Sequence, residues 1–405
     1  MATTILVIFL FIFTIIKDSE NVVYPCVVDP KCQCLTSDLS QVRIYYNISE
    51  NWNIAVKARS WSDLQIDCQE MGVLNKLNYF SNQSEKMLNS LEFINCKLPK
   101  VGSLRDVSKI FGIEGTKRLY FRSFKYLGDR LKKGHLEGFS NVTKLVLAHN
   151  SFNHLPKDIF LNFLKLEHLD LSDNELGILS KGTFRAIPNL KHLQLNHNFL
   201  EEFVPKIFHE LPKLKYLDLK ENLLEKLNND LFDNLTKLRY LNLKTNALSE
   251  LPPLIFHKLK LLRRIDLSFN TFRVLPTELF SRNKKLRQVI LHNNKVPLST
   301  LPDNLLSELP HLVKVSLIKN GIKELSDRIF RSSTSLRYIF LDDNSLRSLP
   351  LFIFFNLKNL KILSIKNNRI SRLPDEIFYD LENLRILDLS FNRLPVLLRY
   401  MKLIK

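Results

Sequence analysis

Along most of this chain, apolar and polar residues fall on a fixed grid. The phrase L-x-x-L-x-L-x-x-N recurs, as in Leu166–Asn174 (LEHLDLSDN) and Leu238–Asn246 (LRYLNLKTN). Counted from its first leucine, positions 4 and 6 are apolar and alternate with polar neighbours, the period of a half-buried strand. The unit continues x-L-x-x-L-P-x-x-x-F-x-x-L, so positions 11, 14 and 22 add apolar side chains and position 19 a phenylalanine. The closing asparagines are Asn150, Asn174, Asn198, Asn222, Asn246, Asn270, Asn294, Asn320, Asn344, Asn368 and Asn392. Every step is 24 residues except the 26 between Asn294 and Asn320.

A fixed period of this length with this phrase is the signature of leucine-rich repeats stacked into a solenoid. The fold class expected is therefore α/β: a curved parallel sheet on the concave face, with loops and short helices on the convex face. Strands of successive repeats should pair roughly 4.8 Å apart. Positions 1, 4, 6, 11, 14 and 22 should point inward. The asparagine should satisfy backbone groups where the chain turns inward, because buried polar groups must be paired. Phe160, Phe184, Phe208, Phe232, Phe256, Phe280, Phe330, Phe354 and Phe378 should form a stacked aromatic column.

The chain has 405 residues, 45% apolar and 25% charged, with a net charge of +18. The repeat replaces the two or three domains that such a length would suggest. The charge favours acidic partners: a sulfated glycan, an anionic membrane, an acidic protein or nucleic acid. Ile5–Ile16 is apolar apart from Thr14, followed by Lys17, Asp18, Ser19 and Glu20. That run suits a signal peptide and is too short to span a bilayer. A secreted or extracellular location follows, which argues against nucleic acid as a partner, and no membrane span is expected in this chain. The expected organisation is a signal peptide over 1–19, a cysteine-rich cap over 20–75, about 13 repeats over 76–393 and a tail over 394–405.

Four cysteines, Cys26, Cys32, Cys34 and Cys68, precede the repeats. Their placement is similar to the disulfide cap that opens secreted leucine-rich repeat proteins, where the first repeat would otherwise expose a sheet edge. Four cysteines allow three pairings, and spacing alone does not choose. Cys96 ends Leu88–Cys96 (LNSLEFINC) at the asparagine position. It reads as a buried free thiol, with a Cys68–Cys96 bridge as the alternative. Partners at zinc-like spacing are missing.

Residues 97–141 break the pattern and hold six of the ten glycines, while Thr116–Phe124 (TKRLYFRSF) reads as a degenerate repeat. Longer loops are expected there within an unbroken solenoid. The 26-residue repeat carries its extra length within Val296–Pro302 (VPLSTLP). Here a more specific likeness emerges. Phe272–Pro302 resembles the ectodomain of insect Toll receptors, oversized repeat and V-P-L-x-T-L-P included. So do the C-x-C of Cys32 and Cys34, the L-Q-I-D-C ending at Cys68, Cys96-Lys-Leu-Pro, and the irregular stretch Phe111–Phe139.

The resemblance runs from about Cys26 to the end. It implies the bridges Cys26–Cys34 and Cys32–Cys68. It also implies recognition of a cystine-knot cytokine of the Spätzle type by the N-terminal concave repeats, or association with a full-length receptor. Toll receptors continue into further repeats, a C-terminal cap, a membrane span and a signalling domain, none of which is visible in this chain. After Asn392 the sequence RLPVLLRYMKLIK spaces Leu394, Leu397, Leu398, Met401 and Ile404 as a helix would. That tail is either a short amphipathic lid or the accidental end of a truncated product.

No catalytic motif and no cofactor site emerges, so an enzyme is not expected. Histidines instead fall in rows: His168 and His192 share position 3, while His149, Asp173 and His197 share position 8. Such rows could bind a metal ion, titrate near pH 6–7 or serve as plain ligand contacts, against the blander reading of ordinary polar residues on a wet surface. With Gln194, Tyr216, Lys220, Glu221 and Tyr240 they make up the candidate ligand-binding set on the concave face. Phe269, Tyr338, Phe340 and Phe391 add exposed anchors of a type enriched at interfaces. Position-5 Asp170, Asp218, Asp266 and Asp388 read as part of the repeat phrase. Glycosylation sequons stand at Asn47, Asn82, Asn141 and Asn234. The reading is a ligand-binding ectodomain, with a glycan-binding matrix or pathogen-recognition module as the alternative.

Overall fold

The computed structural model describes residues 131–395 continuously, and before them 23–25, 32–38, 41–49, 52–60, 63–68, 86–96, 98, 102–110 and 113–122. The chain forms two compact units, Met1–Leu176 with Gly182–Leu190, and Gly177–Lys181 with Lys191–Lys405.

In the first unit, β1 (Val23–Pro25), β2 (Cys32–Asp38), β3 (Gln41–Ser49), β4 (Trp52–Ser60) and β5 (Asp63–Cys68) pair antiparallel in sequence order. Pairing then turns parallel through β6 (Lys86–Ile94), β7 (Ile113–Arg122), β8 (Lys144–Val146) and β9 (His168–Asp170). The repeats thus begin on a meander whose last strand covers the edge that a parallel sheet would leave open. Helix α1 (Leu104–Ile110) interrupts the irregular stretch, and Ser103 caps it by exchanging hydrogen bonds with Asp106. The expected degenerate repeat is in register, since Leu119 on β7 pairs with Leu145 on β8.

The second unit is a run of three-residue parallel strands: β10 (His192–Gln194), β11 (Tyr216–Asp218), β12 (Tyr240–Asn242), β13 (Arg264–Asp266), β14 (Gln288–Ile290), β15 (Lys314–Ser316), β16 (Tyr338–Phe340), β17 (Ile362–Ser364) and β18 (Ile386–Asp388). Equal positions pair throughout, and the longer step keeps register by pairing Gln288 with Lys314. The descending sides carry single turns rather than the short helices expected. Among the described residues the only helices are α1 and a 3-10 turn at Lys133–Leu136.

The core follows the grid. Leu193, Leu217, Leu241 and Ile265 at position 4 are fully buried, and each such side chain contributes about 1.5–3 kcal/mol. Phe208, Phe232, Phe256 and Phe280 stack at 6.0–6.4 Å between ring centres. Leu306 fills the place between Phe280 and Phe330 and is also buried.

The asparagines tie neighbouring repeats together. Asn246 Nδ2 donates to the Leu243 and Leu219 carbonyls, both at 3.1 Å, and its Oδ1 accepts the Leu224 N–H at 3.1 Å. Asn174 does the same with Leu171, Leu147 and Phe152. At the longer repeat the pattern shifts. Asn294 Nδ2 turns to the Phe272 and Val296 carbonyls, while Asn320 takes the Leu291 carbonyl at 2.7 Å. The extra length sits in Lys295–Pro297, just after the asparagine, and burial resumes at Leu298. Gly321, with φ +73°, accommodates this bulge, since a Cβ there would stand 3.0 Å from Pro297 Cβ.

Cys96 corrects one expectation. It is disulfide-bonded rather than a free thiol, and the described residues contain no free cysteine. Parallel pairing of β5 with β6 sets Asp67 opposite Ile94, and Cys96 Sγ lies 3.8 Å from the Ile66 carbonyl. The proposed signal peptide, Cys26, Asn82 and residues 396–405 lie outside the described residues, as do the side chains of Cys32, Cys34, Asn47 and Cys68. The two implied cap bridges and the helical lid therefore fall outside them too.

Candidate ligand-binding face

Position 8 has a backbone feature that organises the site. His149, Asp173, His197, Glu221, Thr245, Phe269, Asn293, Lys319, Asp343, Asn367 and Phe391 all have φ between +49° and +60°. Each strand thus ends in one left-handed residue before the asparagine turns the chain inward. Such a residue costs about 1–2 kcal/mol when it carries a Cβ. In return its side chain stands at the end of the sheet face beside those of positions 3, 5 and 7.

In the first unit, His149 Nε2 lies 3.8 Å from Asp173 Oδ2. His168 on β9 is half-buried, and Asp170 Oδ1 accepts the Ser172 N–H at 3.0 Å. The same short loop recurs at Asp218 with Lys220, Asp266 with Ser268 and Asp388 with Ser390. Position-5 aspartates therefore hold the strand end, as the repeat phrase implied.

The second unit brings most of the remaining candidates together. His192 stacks on Tyr216 at 5.7 Å, and Tyr216 on Tyr240 at 4.3 Å with the rings 2° apart. The Arg264 guanidinium caps the column 5.5 Å from the Tyr240 ring. Tyr216 donates its hydroxyl to Asp218 Oδ2 at 3.0 Å. Burial and the Asp218 carboxylate push the Tyr216 phenol far above its ordinary range, and burial raises Tyr240 as well. Both therefore remain neutral hydroxyls.

Beside the column lies a polar cluster. His197 Nδ1 is 2.8 Å from Glu221 Oε2, Lys220 Nζ is 2.8 Å from Glu221 Oε1, and Lys220 Nζ is 3.5 Å from His197 Nε2. The Lys220 hydrogen bond, with the His197 and Lys220 charges, holds the Glu221 carboxyl below its usual range. Gln194 pairs in register with Asp218 at the column's foot. Further along, Lys244 covers Phe269 at 5.0 Å and Lys366 covers Phe391 at 5.2 Å. His149, His168 and Asp173 belong to the first unit, and the other seven candidates to the second.

The sequence reading missed the left-handed position, although His, Asp and Asn recur there and tolerate that conformation. It also missed Asp342, which accepts the Ser364 hydroxyl and the Lys366 N–H and whose carboxyl burial pushes up. Of the sequons, Asn141 is exposed, and its Oδ1 accepts from Lys165 Nζ at 2.8 Å. Asn234 is half-buried with its amide on the His209 carbonyl. Among the described residues no group of three or more histidine, cysteine or acidic side chains is arranged to hold a metal ion. No described helix is long and apolar enough to cross a membrane.

The leucine rich repeat family model matches residues 140–200, 188–248, 236–296 and 334–394, more than half of the chain. No curated protein sequence matches. Among solved structures the chain is similar to the Drosophila Toll–Spätzle complex, at 29% identity and a TM-score of 0.80. That match covers 91% of this chain and 48% of that one. The glycosylated form of the same complex matches at 28% identity and 0.77, covering 91% and 49%. A TLR13–ssRNA13 complex, at 23% identity and 0.57 over 76% of this chain and 51% of that one, shares the fold alone. The chain spans about half the length of the Toll chains it matches.

Proposed function

Since the chain belongs to the leucine-rich repeat family, we propose that it is an extracellular, non-enzymatic ectodomain of the Toll type that binds a cystine-knot cytokine of the Spätzle kind. The observation that carries this reading is the likeness to Toll in the Toll–Spätzle complex over 91% of the chain. The face itself adds support. The column from His192 to Arg264 is rigid and amphipathic, as interface anchors are, because stacked aromatics lose little side-chain entropy on binding. The His197–Lys220–Glu221 cluster beside it supplies both signs of charge, which favours a protein over a simple polyanion at this spot.

The test is co-elution of the purified chain with a purified Spätzle-type cytokine dimer on size exclusion. A stable complex is expected at micromolar concentration. Separate elution at every ratio would remove the cytokine claim.

A further inference from the structure

The column and its polar cluster leave a second feature of the same unit unexplained. Position 2, immediately before each strand, is basic in eight of nine repeats of the second unit, beginning with Lys191 and Lys215. It continues through Arg239, Arg263 and Arg287, then past Val313 to Arg337, Lys361 and Arg385. The net charge of +18 is thus partly ordered into a line.

Backbone bonding fixes that line. The Lys191 carbonyl accepts the N–H of both Lys215 (2.8 Å) and Tyr216 (3.0 Å), and the Lys215 carbonyl accepts those of Arg239 and Tyr240. The same pair of accepted hydrogen bonds recurs at Arg239, Arg263, Arg287, Val313, Arg337 and Lys361. Because the strands are parallel and about 4.8 Å apart, the cations stand at strand spacing along one edge of the sheet. Arg239, Arg263, Arg287, Arg337 and Arg385 are exposed. Among the described residues, no carboxylate pairs with any of these five, nor with Lys215 or Lys361. The nearby strand acids are engaged elsewhere, Asp218 with Tyr216 and Lys220, and Asp266 with Ser268.

We propose that this row is a binding track for a linear sulfated polysaccharide. From Lys215 onward, a line of cations that no carboxylate pairs matches a polymer with anions repeated along its length, and guanidinium groups grip tetrahedral oxyanions through paired N–H donors. Single-stranded RNA fits less well. Such binding relies on aromatic faces that stack on bases, yet the Tyr216 and Tyr240 faces beside the row are already occupied by each other, His192 and Arg264. The track is separate from the cytokine reading and does not depend on it.

The test titrates the full chain with heparin, chemically desulfated heparin and polyuridylate RNA across a salt series. Heparin should bind most tightly. Arg239→Glu/Arg263→Glu/Arg287→Glu should weaken it at least tenfold. The slope of log affinity against log salt should fall by about two to three, near 0.7–0.9 per lost contact. Lys181→Glu/Lys226→Glu/Lys258→Glu makes the same charge change on exposed lysines off the row and should alter affinity less than threefold. Should the first triple melt, Arg337→Gln/Lys361→Gln/Arg385→Gln serves in its place, with a tenfold loss again expected. Equal loss in the off-row control, equal binding of desulfated heparin, or tighter binding of RNA than of heparin would each overturn the track.

Discussion

Tyr216 and Tyr240 stack face to face, 4.3 Å between ring centres and 2° from parallel, although 24 residues separate them in the chain. Strand pairing sets that contact, since the two residues are directly opposed in register on β11 and β12. Aspartate 218 anchors one hydroxyl and Arg264 covers the far ring. The pair is ordered before any partner arrives, so it offers apolar area with little further loss of freedom.

The asparagine ladder should contribute measurably to stability beside the apolar core. Replacing Asn246 with alanine would strand the Leu224 N–H in a buried turn and leave the Leu219 and Leu243 carbonyls with one donor each, Asn222 and Asn270. One buried unpaired N–H costs about 1–3 kcal/mol, so Asn246→Ala should destabilise by roughly that amount. Urea unfolding followed by circular dichroism would measure it. An unchanged midpoint would mean that the side chain is not what joins these repeats.

The left-handed position gives the opposite expectation. Thr245 is β-branched at φ +54°, a conformation that asparagine tolerates far better. Thr245→Asn should therefore stabilise by about 0.5–1 kcal/mol, raising the urea midpoint. A loss of stability would show that the hydroxyl or methyl does something here beyond occupying the turn.

His292 sets a pH dependence. Burial, with Lys314 and Lys244 nearby, holds its imidazole below the ordinary histidine range, against the pull of Asp266, and its Nε2 bonds the Ser316 hydroxyl. The unfolded chain therefore takes up this proton at a higher pH than the folded one. Stability should fall as pH drops below the ordinary value of about 6.5. His292→Gln should flatten that limb between about pH 7 and 5 in melting curves. Parallel curves for both proteins would exclude His292 as the cause.

Cysteine 96 is bridged, and the register of β5 against β6 favours Cys68 as its partner, because Asp67 already faces Ile94. Non-reducing peptide mapping should recover a Cys68–Cys96 link. Cys96→Ser should cost about 2–4 kcal/mol through the loop it closes. Recovery of Cys68 joined to Cys32 instead would return the cap to the pairing that the Toll resemblance implied.

Much of the fold was legible because burial and period coincide. Leu193, Leu217 and Phe232 are core residues for the same reason that they recur every 24 positions. The antiparallel strands β2–β4 were not legible, because cysteines there drew the reading toward bridges and no repeat marks their pairing. Nor was α1, a seven-residue helix held by one Ser103–Asp106 cap. At the site, Tyr216 and Tyr240 could be placed in one row from spacing alone. The His197–Lys220–Glu221 cluster could not, since it depends on which way three long side chains turn from two left-handed residues and their neighbour.

The central claim is that this face binds a protein ligand. Calorimetric titration with a purified Spätzle-type cytokine, of the native chain beside Tyr216→Ala/Tyr240→Ala, tests it most directly. The account predicts saturable binding by the native chain and at least a tenfold loss in the variant, about 1.4 kcal/mol or more, with melting shown to be cooperative in both. No heat with the native chain, or equal affinity in the two, would contradict it.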